Sequence, residues 1–206
     1  MWPTQLVDGP VTLRPLRRRD SAAWSTVRAR NAAWLAPWEA TLPQASTTPQ
    51  LTFGQYVREL NRQGRAGTSR PWVVDLDGEM VGQVSVASIA RGSLSSAAIG
   101  YWIAREVAGR GITPLAVAMA MDDCFFTLGL HRVEINIRPE NAASLRVVAK
   151  LGLRDEGLRK DYLHIQGSWA DHRTFALTAP EVPHGMVDRL RRGEHGAKIA
   201  MLGADG

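Results

Sequence analysis

Cysteine is almost missing from these 206 residues: Cys124 stands alone, so no internal disulfide can form. The five histidines are scattered, with neither HExxH nor paired CxxC spacing, which leaves no metal-ligand signature. Lysine is scarce too. Only Lys150, Lys160 and Lys198 carry it among 25 basic residues, so arginine dominates a net charge of +5. No apolar run is long enough to cross a membrane: Ile112 to Phe126 is broken by Asp122 and Asp123, short of the roughly 18 residues required. Met1-Trp2-Pro3-Thr4 lacks the basic and apolar regions of a secretory leader. Together these absences predict a protein without a metal or membrane partner in a reducing compartment, the cytoplasm. The basic balance suits a polyanionic partner such as nucleic acid, ribosome or a phosphate-rich cofactor, and equally an arginine-rich solvated surface.

What is present is a well-patterned core, with 45% hydrophobic and 7% aromatic residues. Val11 to Leu16 alternates as a strand, and Asp20-Ser21 opens a helix toward Asn31. A proline-broken aromatic connector, Trp34 to Trp38, leads to a second helix expected from Pro49 to Gly64. Trp72–Leu76 and Met80–Ile89 form a hairpin over Asp77-Gly78, followed by the strand Ala98–Ile103. A helix apolar on most sides then runs to about Leu128, which marks it as buried. Arg132 to Arg138 alternates cleanly, Asn141 caps a helix ending at Gly152, and two strands close the pattern at about 157–165 and 172–178. The order predicts an α/β (α+β) fold with a mixed, mostly antiparallel sheet of about seven strands flanked by four helices. Residues 1–180 read as one domain, and 181–206 as a tail with a helical turn near Val187 to Arg191.

The strongest local signal is Gly109-Arg110-Gly111, between an apolar strand and a helix. Converging backbone N–H groups and the positive end of a helix suit a pyrophosphate there, and the glycines let it approach. Pro114 occupies the position where a dinucleotide fingerprint needs its last glycine, and no Walker A GK[ST] follows. A second signal is Asn141-Ala142-Ala143-Ser144, opening a helix that ends Ala149-Lys150-Leu151-Gly152-Leu153.

With these runs the chain resembles the GNAT superfamily of acyl-CoA N-acetyltransferases, and within it the ribosomal-protein-alanine branch of RimJ and RimL. The likeness covers roughly residues 8 to 180. It includes Leu35-Ala36-Pro37-Trp38-Glu39, the loop Ala108 to Thr113, Arg138-Pro139-Glu140-Asn141, and Gly167-Ser168-Trp169-Ala170-Asp171-His172. Ala108 and Thr113 depart from the family loop, which starts with Gln or Arg and ends with Gly or Ala.

The resemblance implies acetyl-CoA as co-substrate, held by Ala108, Gly109, Arg110, Gly111, Ile112, Thr113 and Asn141. It also implies backbone pairing of the pantetheine arm along Trp102-Ile103, where an N–H stabilises the oxyanion. Ser144 sits where the family places a proton donor for the departing thiolate, and three residues after a cap it also suits a helix start. Direct attack by the amine needs no protein nucleophile, so Cys124 reads as packing. For the base, Asp161 matches the position of the RimL carboxylate with a shorter side chain, and Glu134 on its strand is the second candidate; either also suits an ion pair with arginine. Trp38 and Glu39 are expected to line the acceptor groove. The acceptor is expected to be the N-terminal α-amine of a protein, with ribosome association. The alternatives are a small amine such as a polyamine, amino acid or aminoglycoside, or a sensor that binds acetyl-CoA without catalysis. Monomer and homodimer stay open.

Overall fold

Alternation along the chain sets the sheet, and the sheet sets the cleft. A computed structural model describes residues 2–43 and 51–193. Leu6–Asp8 (β1) and Val11–Pro15 (β2) form a hairpin, β2 burying Val11 and Leu13. Ser21–Arg30 (α1), Ala32–Leu35 (α2) and a 3-10 turn at Ala36–Trp38 follow. Phe53–Ala66 (α3) starts at a capping box between Thr52 and Gln55 and ends on Gly67 in the left-handed region. Pro49, where that helix was expected to start, lies outside the described residues.

Arg70–Leu76 (β3), Glu79–Ala90 (β4) and Ser96–Ile103 (β5) make an antiparallel meander. Ile112–Asp122 (α4) continues through a π-helical turn at Asp123–Thr127. Then come Arg132–Ile137 (β6), Ala142–Leu151 (α5), Arg154–Ile165 (β7), Ser168–Thr178 (β8) and Met186–Arg191 (α6). The strand order is β1-β2-β3-β4-β5-β6-β8-β7, with β5 and β6 the parallel pair that α4 connects. The mixed α/β class is as expected.

The counts differ from the expectation for local reasons. Among the described residues the sheet has eight strands because β1, only three residues long, carries too little alternation to stand out before Gly9-Pro10. Among the described residues six helices replace four: α2 is a four-residue segment just before Pro37, and α6 is the helical turn expected near Val187 to Arg191. β7 and β8 begin earlier than expected because bulges break the alternation, with Gly157 and Asp161 at positive φ (105° and 47°).

The main core lies between the sheet and α4, whose Ala116 to Met121 are all buried. Residues 181–193, expected as tail, pack against that core: Val182 and Met186 are buried, and Asp122 on α4 accepts the backbone N–H groups of Met186 and Val187. Residues 194–206 lie outside the described ones. A smaller cluster of Leu16, Val57 and Val73, with Trp24, Tyr56 and Leu60 against it, holds α1 and α3 on the other face. No described helix is long and apolar enough to cross a membrane.

Candidate active site

Parallel pairing of β5 with β6 lasts for three residues, Ser96–Ala98 against Arg132–Glu134, and then stops. Beyond that point the two strands line opposite sides of a cleft of about 1300 Å³, with Ile99 to Ile103 on one wall and Ile135 to Arg138 on the other. Ala104 donates its backbone N–H to Val81 of β4 at 2.7 Å. Antiparallel alternation then turns the backbone of Trp102, paired with Gln83, toward β4 and that of Ile103 toward the gap. The Ile103 carbonyl accepts from Trp34 Nε1 at 3.1 Å, while its N–H faces the cleft. A strand edge with free polar groups is what an extended amide-containing arm can pair with.

At the base of the cleft Gly109 and Gly111 both have positive φ (82° and 83°), and a Cβ on either would stand in open space. Gly111 is the N-cap of α4 without a side-chain cap, so the first N–H groups of a helix are left pointing outward. Ala108, Gly109, Gly111 and Thr113 line the cleft. Arg110 is exposed outside the lining and Ile112 turns into the core, so of the expected loop residues these two contribute rim charge and packing. Two open glycines before a helix start fit a pyrophosphate.

Across from this loop, Asn141 and Ser144 both line the cleft. The Asn141 side chain caps α5, accepting from Ser144 N–H at 3.0 Å. The Tyr101 hydroxyl is buried without a hydrogen-bond partner. Burial pushes that phenol well above its usual range, and the nearby Ser144 opposes the push although the pair falls short of hydrogen-bond geometry.

The far end is aromatic: Trp24, Trp34, Trp38, Tyr56 and Trp102 line it. Trp24 packs edge-on to Trp102 with ring centroids 5.7 Å apart, and Arg28 sits over the Trp102 ring at 5.2 Å. Trp38 and Glu39 line the cleft, and Glu39 is paired with Arg28. Arg138 donates to the Pro37 carbonyl at 3.1 Å and lies over Trp38, tying β6 to the overhanging connector.

The two expected bases are placed elsewhere. Glu134 is held by Arg132 at 2.9 Å and Arg159 at 2.8 Å, and Asp161 is exposed; neither lines the cleft. Sequence reasoning missed Tyr101 and His172. Tyr101 alternates with residues of a strand whose orientation is set only by its partner. His172 closes the run Gly167 to His172, and its place in the cleft follows from the register of β8 beside β6. Among the described residues no cluster of three His, Cys, Asp or Glu is placed to hold a metal ion.

Comparison with known proteins agrees with this geometry. The family model described as an acetyltransferase (GNAT) domain matches residues 11–154. The chain is 31% identical over 180 residues to the [ribosomal protein uS5]-alanine N-acetyltransferase of Escherichia coli K12, covering 86% of this chain and 92% of that one. It is 38% identical over 105 residues to the probable N-acetyltransferase YjcK of Bacillus subtilis, a match spanning 51% of this chain and 58% of that protein. Among solved structures, Mycobacterium smegmatis RimJ in complex with CoA-disulfide superposes with a TM-score of 0.84 at 39% identity, covering 94% of this chain and 96% of that one. A domain match over most of the chain, with a relative 31% identical over 86% of it, places this protein in the GNAT family of acetyltransferases, enzymes that take the acetyl group from acetyl-CoA.

Proposed function

We propose that this enzyme acetylates the N-terminal α-amine of a protein, one beginning with Ala or Ser, a ribosomal protein being the favoured acceptor. The observation that carries the reading is the charge balance of the acceptor end. Its two lining carboxylates, Glu39 and Glu140, are paired with Arg28 and Arg138. A polyamine carries several ammonium groups and calls for several uncommitted carboxylates. A single α-amine on an otherwise apolar chain end suits aromatic walls whose carboxylates are already compensated. The Escherichia coli relative named for acetylating an alanine of ribosomal protein uS5 supports the same reading.

In this reading acetyl-CoA supplies the acyl group. The open glycine loop holds its phosphates, and the edge of β5 at Ile103 pairs with its pantetheine arm and donates to the carbonyl oxygen that becomes negative. The amine attacks directly. An α-amine, with pKa near 8, is about a tenth free base at neutral pH, whereas lysine near 10.4 is under a thousandth. Ser144 gives a proton to the departing sulfur, with the buried Tyr101 phenol beside it as a fixed dipole. Docking to the ribosome through the arginine-rich surface belongs to the same proposal.

The test is thiol release from acetyl-CoA with peptides beginning Ala or Ser, set against N-blocked lysine peptides and spermidine. Turnover confined to free N-termini supports the reading. Turnover confined to small amines removes the protein acceptor and keeps the chemistry.

A further inference from the structure

The cleft needs a group that takes a proton from the amine, and its carboxylates are committed elsewhere. Glu39 and Glu140 are ion-paired, Glu134 is held by two arginines outside the lining, and Asp161 is exposed. One uncharged base remains among the lining residues. His172 lies on β8, is only 3% exposed, and lines the cleft. Its Nδ1 meets the Ala170 carbonyl oxygen at 3.0 Å. A carbonyl can only accept, so Nδ1 carries the proton and Nε2 keeps its lone pair. Nε2 makes no hydrogen bond among the described residues and is not sealed from solvent, and the residue that carries it lines the cleft. The ring is held by Tyr162, edge-on at 5.6 Å.

We propose that His172 is the proton acceptor of the reaction, its Nε2 taking the proton the amine sheds as it bonds to the acetyl carbon. The assignment rests on the amine-acetylation reading above. The amine arrives as free base and its N–C bond forms. One proton passes to His172 and on to solvent, the C–S bond breaks, and the sulfur leaves with the electron pair and gains a proton from Ser144, whose hydroxyl is reprotonated from solvent.

The surroundings keep the imidazole neutral enough to serve. Burial lowers its pKa from the usual value and outweighs the Ala170 bond. Arg138 lowers it further, while Glu140 and Asp171 oppose. From β7 the facing groups are Arg159, its register partner, and Tyr162. The connector contributes Trp38 and the paired Glu39.

The experiment measures kcat/KM against pH for the wild type and His172→Gln, with CoA binding as the check on folding. With an acceptor α-amine of pKa near 8, the logarithmic slope for the wild type is one below that value and steepens to two below His172's own lowered pKa. In H172Q the slope stays at one, the rate falls about 100-fold, and CoA binds as in wild type. Unchanged rates in an H172Q protein that binds CoA overturn the base and leave acetylation standing. A wild-type slope that never steepens overturns it without recourse to the variant. Wild type that turns over no amine removes the acetylation reading and this assignment together.

Discussion

The backbone N–H of Ser144 donates to the side chain of Asn141 at 3.0 Å, so the start of α5 is capped without the serine hydroxyl. The two residues, three apart in one motif, can therefore be separated by substitution: Asn141 holds the helix start, and the Ser144 hydroxyl takes no part in the cap.

Replacing each with alanine tests that division. Ser144→Ala is expected to lower kcat about 100-fold and to leave the melting temperature and acetyl-CoA KM close to wild type. Asn141→Ala is expected to cost about 1 kcal/mol of stability through the lost cap and to shift the melting curve. Steady-state kinetics and thermal melts, run side by side, check both.

Gly111 has φ 83° with open space where a Cβ would be. In Gly111→Ala the left-handed backbone costs about 1 kcal/mol, and the methyl enters the space where phosphate approaches. The expected outcome is an acetyl-CoA KM raised about tenfold, equivalent to about 1.4 kcal/mol, with a smaller change in kcat at saturation. Titration of acetyl-CoA at fixed acceptor measures it.

Gly82 acts at a distance. A Cβ there would stand 2.4 Å from the Trp102 carbonyl oxygen and 2.9 Å from Ile103 Cδ1, so Gly82→Ala must displace the end of β5. A shift of about 1 Å in a positioning strand is worth about 100-fold in rate. The variant is expected to lose kcat by that order while the phosphate loop, on another segment, still binds CoA. Calorimetric CoA binding beside kcat separates the two effects.

Much of this arrangement was legible in the sequence because it is local. The glycine loop, the Asn141 cap, the hairpin over Asp77-Gly78 and the buried α4 are written in neighbouring residues. The parallel crossing of β5 and β6 follows from the helix between them. What stayed hidden depends on register and on ion pairs. Nothing in Glu134 itself says that Arg132 and Arg159 will hold it, and Asp161 is carried out of the cleft by a bulge. The role of Gly82 lies wholly in the strand opposite. Val182 and Met186 read as tail because only the fold brings them to α4.

Cys124 offers a negative control. It is buried, and burial together with Asp123 pushes its thiol well above the usual range, with Arg70 opposing. Thiolate is the reactive form. A thiol reagent is expected to leave the native protein unlabelled and to label it fully after denaturation. Cys124→Ala is expected to keep full kcat and lose about 1 kcal/mol of stability. Activity loss in a folded C124A protein would contradict direct attack by the amine.

Mass spectrometry of the product shows whether acetyl is transferred to a protein's α-amine. A peptide beginning with Ala or Ser and holding an internal lysine would be incubated with the enzyme and acetyl-CoA, then fragmented to locate the added acetyl. The expected product carries one acetyl on the N-terminal nitrogen and none on lysine. Acetyl on the lysine, or on spermidine alone in a mixed incubation, would contradict transfer to the α-amine.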